Sequence, residues 1–375
     1  MALKVVVDAS ALGDGSAVRG IGAVLRPLID GLAARSDMEL VLLGPVGPRW
    51  PEGTEHRPIA MHGPGRWRPW EHLAVSGVAA RRVHADVAWF PANLPPLLPP
   101  HPFVATVHDV IPLQLGGPGL AADRRRWRTF GRGLRRARAV LCPSWATAHA
   151  AHAALGLDPR HTEVIPWGVG EAFTPAGATE GVGFPHLLWV SAFDAHKGLA
   201  EACELVATLS TRGLPHHLRL VGPFDEWNRR LVDEIVAGST RPDLVDVVGW
   251  VDDLPAAYRA ADAFVVTSRI EGFGLPPVEA QACGTPVVGF ASAAVTEVSG
   301  PGARLVPWGD LPALADVAQQ VLTDPSHSSD LVVAGLANAA RYTWHAAVDT
   351  YAAALHRAAE HAEPAGRTHD PPATT

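Results

Sequence analysis

The sequence predicts an α/β protein of two doubly wound domains, and three observations predict it. Short apolar, β-branched runs alternate with longer Ala- and Leu-rich stretches along the chain. These runs fall into two successive series of five, an alternation that argues for parallel sheets covered by helices on both faces. A stretch rich in Thr, Pro, Ala and Gly between Phe173 and Phe184 breaks every periodicity and separates the series. The 375 residues also exceed one ordinary core, whose usual size is about 100–200 residues.

The first series places strands at Val5–Asp8, Leu40–Leu43, Val87–Phe90, Phe103–Val107 and Ala139–Cys142. The second places them at Leu187–Val190, Leu218–Val221, Val245–Val248, Ala263–Thr267 and Pro286–Phe290. Helices are expected between most of them, for instance over Val18–Ala34, Gly198–Thr211 and Pro312–Thr323. The domains are accordingly drawn at residues 1–175 and 176–345. Residues 346–362 form a last helix whose apolar stretch, Ala346–Ala359, has a face to bury, and residues 363–375 read as a disordered tail. Two such domains leave a cleft at the carboxyl ends of their strands, where ligands bind.

Composition narrows the function. The chain is 47% hydrophobic and 18% charged, which excludes disorder as a whole, and it holds no run of 18 apolar residues. Cys142, Cys203 and Cys283 have neither disulfide-framework nor metal-site spacing. With Leu3–Val7 reading as a strand and no leader-like block before it, a cytoplasmic location is expected. Residues 1–180 carry 19 Lys and Arg against 15 Asp and Glu, while residues 181–375 carry 12 against 23. This balance argues against a nucleic-acid partner, although eight arginines crowd Arg124–Arg138. On a continuous helix Arg124, Arg128, Arg132, Arg135 and Arg136 would share one side, a face suited to peripheral contact with the inner membrane surface or to a solvated helix.

The window Thr267–Phe290 carries the most chemistry. A strand ends at Thr267, a glycine-bearing loop follows, and Pro276 and Pro277 suit the start of a short helix, Val278–Cys283. Such a loop aims backbone N–H groups and a positive helix end at an anion. Gly272 and Gly274 allow close approach of a ligand. Glu271 and Glu279, eight residues apart, place a carboxylate in the loop and another in the first helical turn.

This window resembles the E-x7-E signature of retaining glycosyltransferases with the GT-B fold, glycosyltransferase family 4 in particular. The match runs through "EGFGLPPVEAQACGTPVV" without a gap. The resemblance implies the GT-B arrangement, two Rossmann-like domains facing across a cleft, with the last helix crossing back to the first domain. It implies that Glu279 holds the ribose of a nucleotide sugar and that Glu271 contacts the transferred sugar. Gly272, Phe273, Gly274 and Leu275 then form the donor-binding stretch.

Other windows are similar to the same family. "LLWVSAFDAHKGL" puts Lys197 at a helix start, where it opposes the helix dipole unless a diphosphate sits there. The family often adds an arginine just after that strand; Ala192 and Phe193 stand there instead, leaving Arg269 as a substitute. "FVATVHDVIP" resembles mannosyl- and rhamnosyltransferase-like members and sets His108 and Asp109 past a strand end, towards the cleft. The early turn ending Gly20-Ile21-Gly22 matches a phosphate and acceptor loop, with Ala23 where an arginine is usual. The expected catalytic set is His108, Glu271 and Lys197.

The resemblance thus implies transfer of a hexosyl unit from a nucleotide-diphosphate sugar to a hydroxyl, with retention; with no H-E-x-x-H, C-x-x-C or Asp-x-Asp spacing in the sequence, no metal or cofactor is expected. GDP-mannose is the favoured donor, ahead of dTDP-rhamnose and UDP-sugars. The acceptor class spans glycans, glycolipids, lipid-linked envelope glycans and small metabolites. Among rivals, a nicotinamide dehydrogenase lacks its phosphate fingerprint here. A sugar-nucleotide epimerase shares the fold class, and Ala192 and Ala23 keep open a non-catalytic GT-B scaffold subunit, although the presence of Glu271, Glu279, Lys197 and His108 argues for activity.

Overall fold

The computed structural model describes residues 2–12, 20–44, 50–59, 68–116, 120–223 and 226–360. The expected tail, 363–375, and the start of the helix expected from Val18 lie outside them.

The first half runs β1 (Leu3–Asp8), α1 (Ile21–Ala33), β2 (Met38–Gly44), β3 (Glu55–Pro58), α2 (Arg68–Arg81), β4 (Val87–Phe90), β5 (Phe103–Thr106), α3 (Ile111–Gln114), α4 (Ala121–Phe130), β6 (Ala139–Cys142), α5 (Trp145–Leu155) and β7 (Thr162–Val164). Among the described residues its seven strands lie in the order β3-β2-β1-β4-β5-β6-β7, all parallel. The second half runs β8 (His186–Val190), α6 (Leu199–Thr211), β9 (His217–Val221), α7 (Glu226–Ala237), β10 (Val245–Gly249), α8 (Leu254–Ala260), β11 (Ala263–Val266), α9 (Leu275–Ala282), β12 (Val287–Ala291), α10 (Ala293–Ser299), β13 (Ala303–Pro307), α11 (Leu311–Thr323) and α12 (Pro325–Ala339). Its parallel order is β10-β9-β8-β11-β12-β13. Both halves are therefore doubly wound, as the alternation predicts.

The strand order reverses between β1 and β4 in the first sheet and between β8 and β11 in the second. At such switch points adjacent loops diverge to opposite faces and leave a crevice. The central strands β4, β5, β6 and β11 are buried at every residue, as parallel strands covered on both sides must be.

The last helix, α13 (Trp344–Glu360), buries Ala347, Val348, Tyr351, Ala352, Leu355 and Ala358 in the core of the first sheet. Gly31 of α1 makes this docking possible, because a Cβ there would lie 2.5 Å from a Val348 methyl. Tyr351 meets Trp89 of β4 with ring centroids 5.3 Å apart. The chain thus returns from the second sheet to stiffen the first.

The arginine-rich run departs from the continuous helix expected of it. α4 ends at Phe130, and Gly131–Arg136 continues in tighter 3-10 turns, so the 3.6-residue wheel fails. Trp127, Phe130 and Leu134 anchor the run in the core. Arg135 donates to the Leu155 carbonyl through Nε at 2.8 Å, and Arg125 stacks on Trp70. The single basic face is a correction to make. Among the described residues no helix is long and apolar enough to cross a membrane.

Candidate active site

Every strong candidate lies at the switch point of the second sheet or on the edge of the first that faces it. After β8 the chain turns through Ala195–Lys197, and Gly198 adopts a left-handed conformation (φ 72°) at the start of α6. Glycine is required there twice over, since a Cβ would also lie 2.3 Å from the Thr267 carbonyl oxygen. Lys197 therefore precedes α6 instead of sitting in its first turn. The loop after β11 is bound to this turn: Thr267 Oγ1 donates to the Lys197 carbonyl (2.8 Å), and the Arg269 amide donates to the His196 carbonyl (2.8 Å).

Across that junction Lys197 Nζ donates to both carboxylate oxygens of Glu271, at 2.8 and 2.9 Å. Desolvation pushes the Glu271 carboxyl up, but the Lys197 charge and hydrogen bonds, with Ser268, bring it below its ordinary value. Two of the three expected catalytic groups thus hold each other.

α9 begins at Leu275, three residues earlier than expected, so Glu279 falls in the second helical turn. Burial raises its carboxyl to about 7, although the Tyr258 hydroxyl donates to Oε2 at 3.0 Å and opposes the rise. Tyr258 is itself fully buried, its ring held between Phe173 and Phe264. Sequence reasoning missed it because it reaches Glu279 from a different helix.

Gly272 passes so close to the first half that a Cβ would lie 2.0 Å from the His108 carbonyl oxygen. Phe273 is buried between Trp167 and Tyr342, at centroid distances of 5.1 and 5.6 Å. Gly274 takes φ 93° ahead of α9. His108 is only 4% exposed, its ring 5.4 Å from that of Trp167. Its Nε2–H donates to the Pro91 carbonyl, and burial lowers its pKa to about 4, so the ring is neutral. His108 Nδ1 and Trp167 Nε1 are both buried without a hydrogen-bond partner among the described residues. Asp109 Oδ1 accepts from the Ile111 amide (3.0 Å) just before α3, and desolvation raises its carboxyl.

Two cavities flank Glu271. The larger, about 240 Å³, lies between the halves and is lined by Asp109, Gln114, Thr147, Arg269, Glu271 and Ser292 among others. The smaller, about 30 Å³, is lined by Ser191, Lys197, Ser268, Glu271 and the two α9 prolines. Arg269 thus lines the other cavity from Lys197, its guanidinium stacked 5.2 Å from the Trp308 ring, and the pair does not form one clamp. Ala192 is partly exposed, while Phe193 turns inward on Trp189. Gly20 and Gly22 open α1 and line neither cavity, and residues 13–19 before them are not described.

One arrangement had no sequence signal. Asp8, at the end of β1, accepts from His72 Nε2 on α2 and from Ser10 Oγ, both at 2.7 Å. Among the described residues no group of three or more His, Cys, Asp or Glu side chains could hold a metal.

Comparison with known proteins supplies context for this geometry. A family model described as "Glycosyltransferase Family 4" matches residues 18–172, and one described as "Glycosyl transferases group 1" matches residues 184–324. O-antigen chain mannosyltransferase B of Escherichia coli is 34% identical over 150 residues, 40% of this chain and 39% of that protein. D-inositol 3-phosphate glycosyltransferase of Kribbella flavida is 30% identical over 239 residues, 57% and 55% of the two chains. The chain therefore spans about half the length, or less, of these curated relatives. Sucrose-phosphate synthase from Thermosynechococcus elongatus superposes with a TM-score of 0.75 at 22% identity, over 95% of this chain and 98% of that one, a likeness of fold.

Proposed function

We propose, for a chain that belongs to glycosyltransferase family 4 and has the GT-B fold, that it moves a hexosyl unit from a nucleotide-diphosphate sugar to a hydroxyl acceptor with retention. The observation that carries this is the junction of Lys197 and Glu271 between two cavities, with Glu279 and the Gly272–Gly274 amides on the same loop and helix. Glu279 would accept the ribose hydroxyls, and Glu271 would orient the transferred sugar. Lys197, once a ligand draws it from Glu271, would neutralise charge growing on the leaving diphosphate together with the loop amides. This assigns charge neutralisation to the protein and requires no metal or cofactor. Neutral His108 would accept a sugar hydroxyl at Nδ1, with the Trp167 indole N–H beside it. The acceptor hydroxyl would enter from the larger cavity past Asp109 and lose its proton to the leaving phosphate oxygen.

GDP-mannose is the favoured donor, on the His108–Asp109 window and the partial likeness to a mannosyltransferase. dTDP-rhamnose and UDP-sugars follow. A lipid-linked acceptor and a cytoplasmic enzyme touching the membrane belong to this reading, supported by the charge of Arg124–Arg138 without a continuous helical face. A second reading, a non-catalytic subunit of the same fold, is favoured by Ala192 and Ala23 where the family carries arginines.

Thermal shifts with GDP, UDP and dTDP test the donor site. A diphosphate at 100 times its Kd should add about 2.7 kcal/mol, a rise of a few degrees. The ribose needs Glu279 ionised, and its carboxyl titrates near 7, so the rise should be larger at pH 8 than at pH 6. Glu279→Ala should abolish both the rise and its pH dependence. An equal rise in wild type and variant would remove Glu279 from the site.

A further inference from the structure

The carbonyl of Gly272 is where the two halves are sewn together. Ser144 Oγ donates to it at 2.6 Å and Thr147 Oγ1 at 2.8 Å, both from the first half and both buried. Ser144 Oγ also accepts from the Thr147 amide at 3.0 Å, so the two donors are fixed to one another. The second half returns the exchange. Glu297 of α10 accepts from the amides of Trp145 (2.8 Å) and Ala146 (2.9 Å), the opening residues of α5. Three N–H groups left without helical partners at the start of α5 are thereby satisfied, two of them from across the chain.

A carbonyl and the N–H that follows it share one rigid peptide plane and point in opposite directions. Fixing the Gly272 oxygen therefore fixes the aim of the Phe273 N–H, one of the loop amides that the proposed transfer assigns to the donor. We propose that Ser144 and Thr147 are positioning residues for the transfer, aiming that amide only while the halves are together, with Glu297 holding α5 in register. This rests on the transferase reading. Nucleoside-diphosphate binding is then a property of the second half, whereas turnover requires the first half's two hydroxyls.

The test compares Ser144→Ala, Thr147→Val and the double variant with wild type, using hydrolysis of the nucleotide sugar that wild type turns over best and calorimetry with its nucleoside diphosphate. Each single variant should lower kcat about tenfold and the double about 100-fold, with the diphosphate Kd kept within about twofold. Thr147→Ser should restore kcat. Thr147→Val leaves the Ser144 cap intact and carries the test if Ser144→Ala fails to fold. A wild-type kcat in Thr147→Val and the double variant, or a loss seen as weaker diphosphate binding, overturns the proposal. Small-angle scattering separates it from the transferase reading: without any turnover in wild type, the double variant should still show a larger radius of gyration, and an unchanged radius overturns the seam.

Discussion

Replacing Lys197 with alanine is expected to destabilise the fold and to disable turnover, by two separable routes. The ammonium lies in a bidentate pair with Glu271, and the two side chains are only 16% and 15% exposed. Removing one partner of such a pair costs about 3–5 kcal/mol, because the other charge is left buried and alone. In wild type the depressed Glu271 carboxyl contributes stability above its unfolded value, 4.5, and that contribution is lost as pH falls through the folded value. In Lys197→Ala the carboxyl should instead rise, so thermal unfolding near neutral pH should lose this contribution. A double variant, Lys197→Ala with Glu271→Gln, should recover much of the stability, since no buried charge remains. Turnover should not recover, because the group facing the leaving diphosphate is still missing, a loss on the order of 10²–10³-fold in kcat. A stable and active double variant would place the pair outside the chemistry.

Gly272→Ala should be nearly as damaging to turnover while sparing the fold. Its Cβ would lie 2.0 Å from the His108 carbonyl oxygen and 3.1 Å from Asp109 Cβ. The first obstacle is backbone, so the loop or the β5 exit must move by an ångström or more. A misplacement of that size at a reacting centre costs about 10²-fold. Each half keeps its own hydrophobic core, so circular dichroism should match wild type while kcat falls. Near-normal turnover would show that the seam at Gly272 does not govern the donor loop.

The fold was legible where strands are covered on both faces. All ten expected strands exist, because apolar, β-branched runs such as Phe103–Thr106 and Ala263–Val266 are what parallel central strands require. Among the described residues three were missed: β3, β7 and β13. Each is a sheet edge. β3 reads Glu-His-Arg-Pro and β7 has three residues, so neither carries an apolar signal. The arginine run misled because Gly131 and Gly133 tighten the chain after α4, which a uniform wheel cannot anticipate.

In the site, Glu271, Glu279 and Lys197 were legible because they sit at fixed spacings in one loop or turn. Their partners were not. Tyr258 meets Glu279 from another helix, and Glu297 meets α5 from 151 residues away. The burial of His108 was equally hidden, since a strand-end histidine can stand exposed or, as here, be only 4% exposed. Local chemistry writes itself in short windows, whereas contacts between halves depend on how two sheets meet.

Glycosyl transfer with retention is tested most directly by proton NMR of early turnover. GDP-mannose, dTDP-rhamnose and a UDP-hexose would each be incubated with wild type and with Glu279→Ala, with water as the acceptor. The prediction is release of a nucleoside diphosphate from one donor, with the freed sugar first appearing in the donor's own anomeric configuration, and little release by the variant. Release of an inverted sugar would contradict retention, and release at equal rates by wild type and Glu279→Ala, or from no donor at all, would contradict the transferase account.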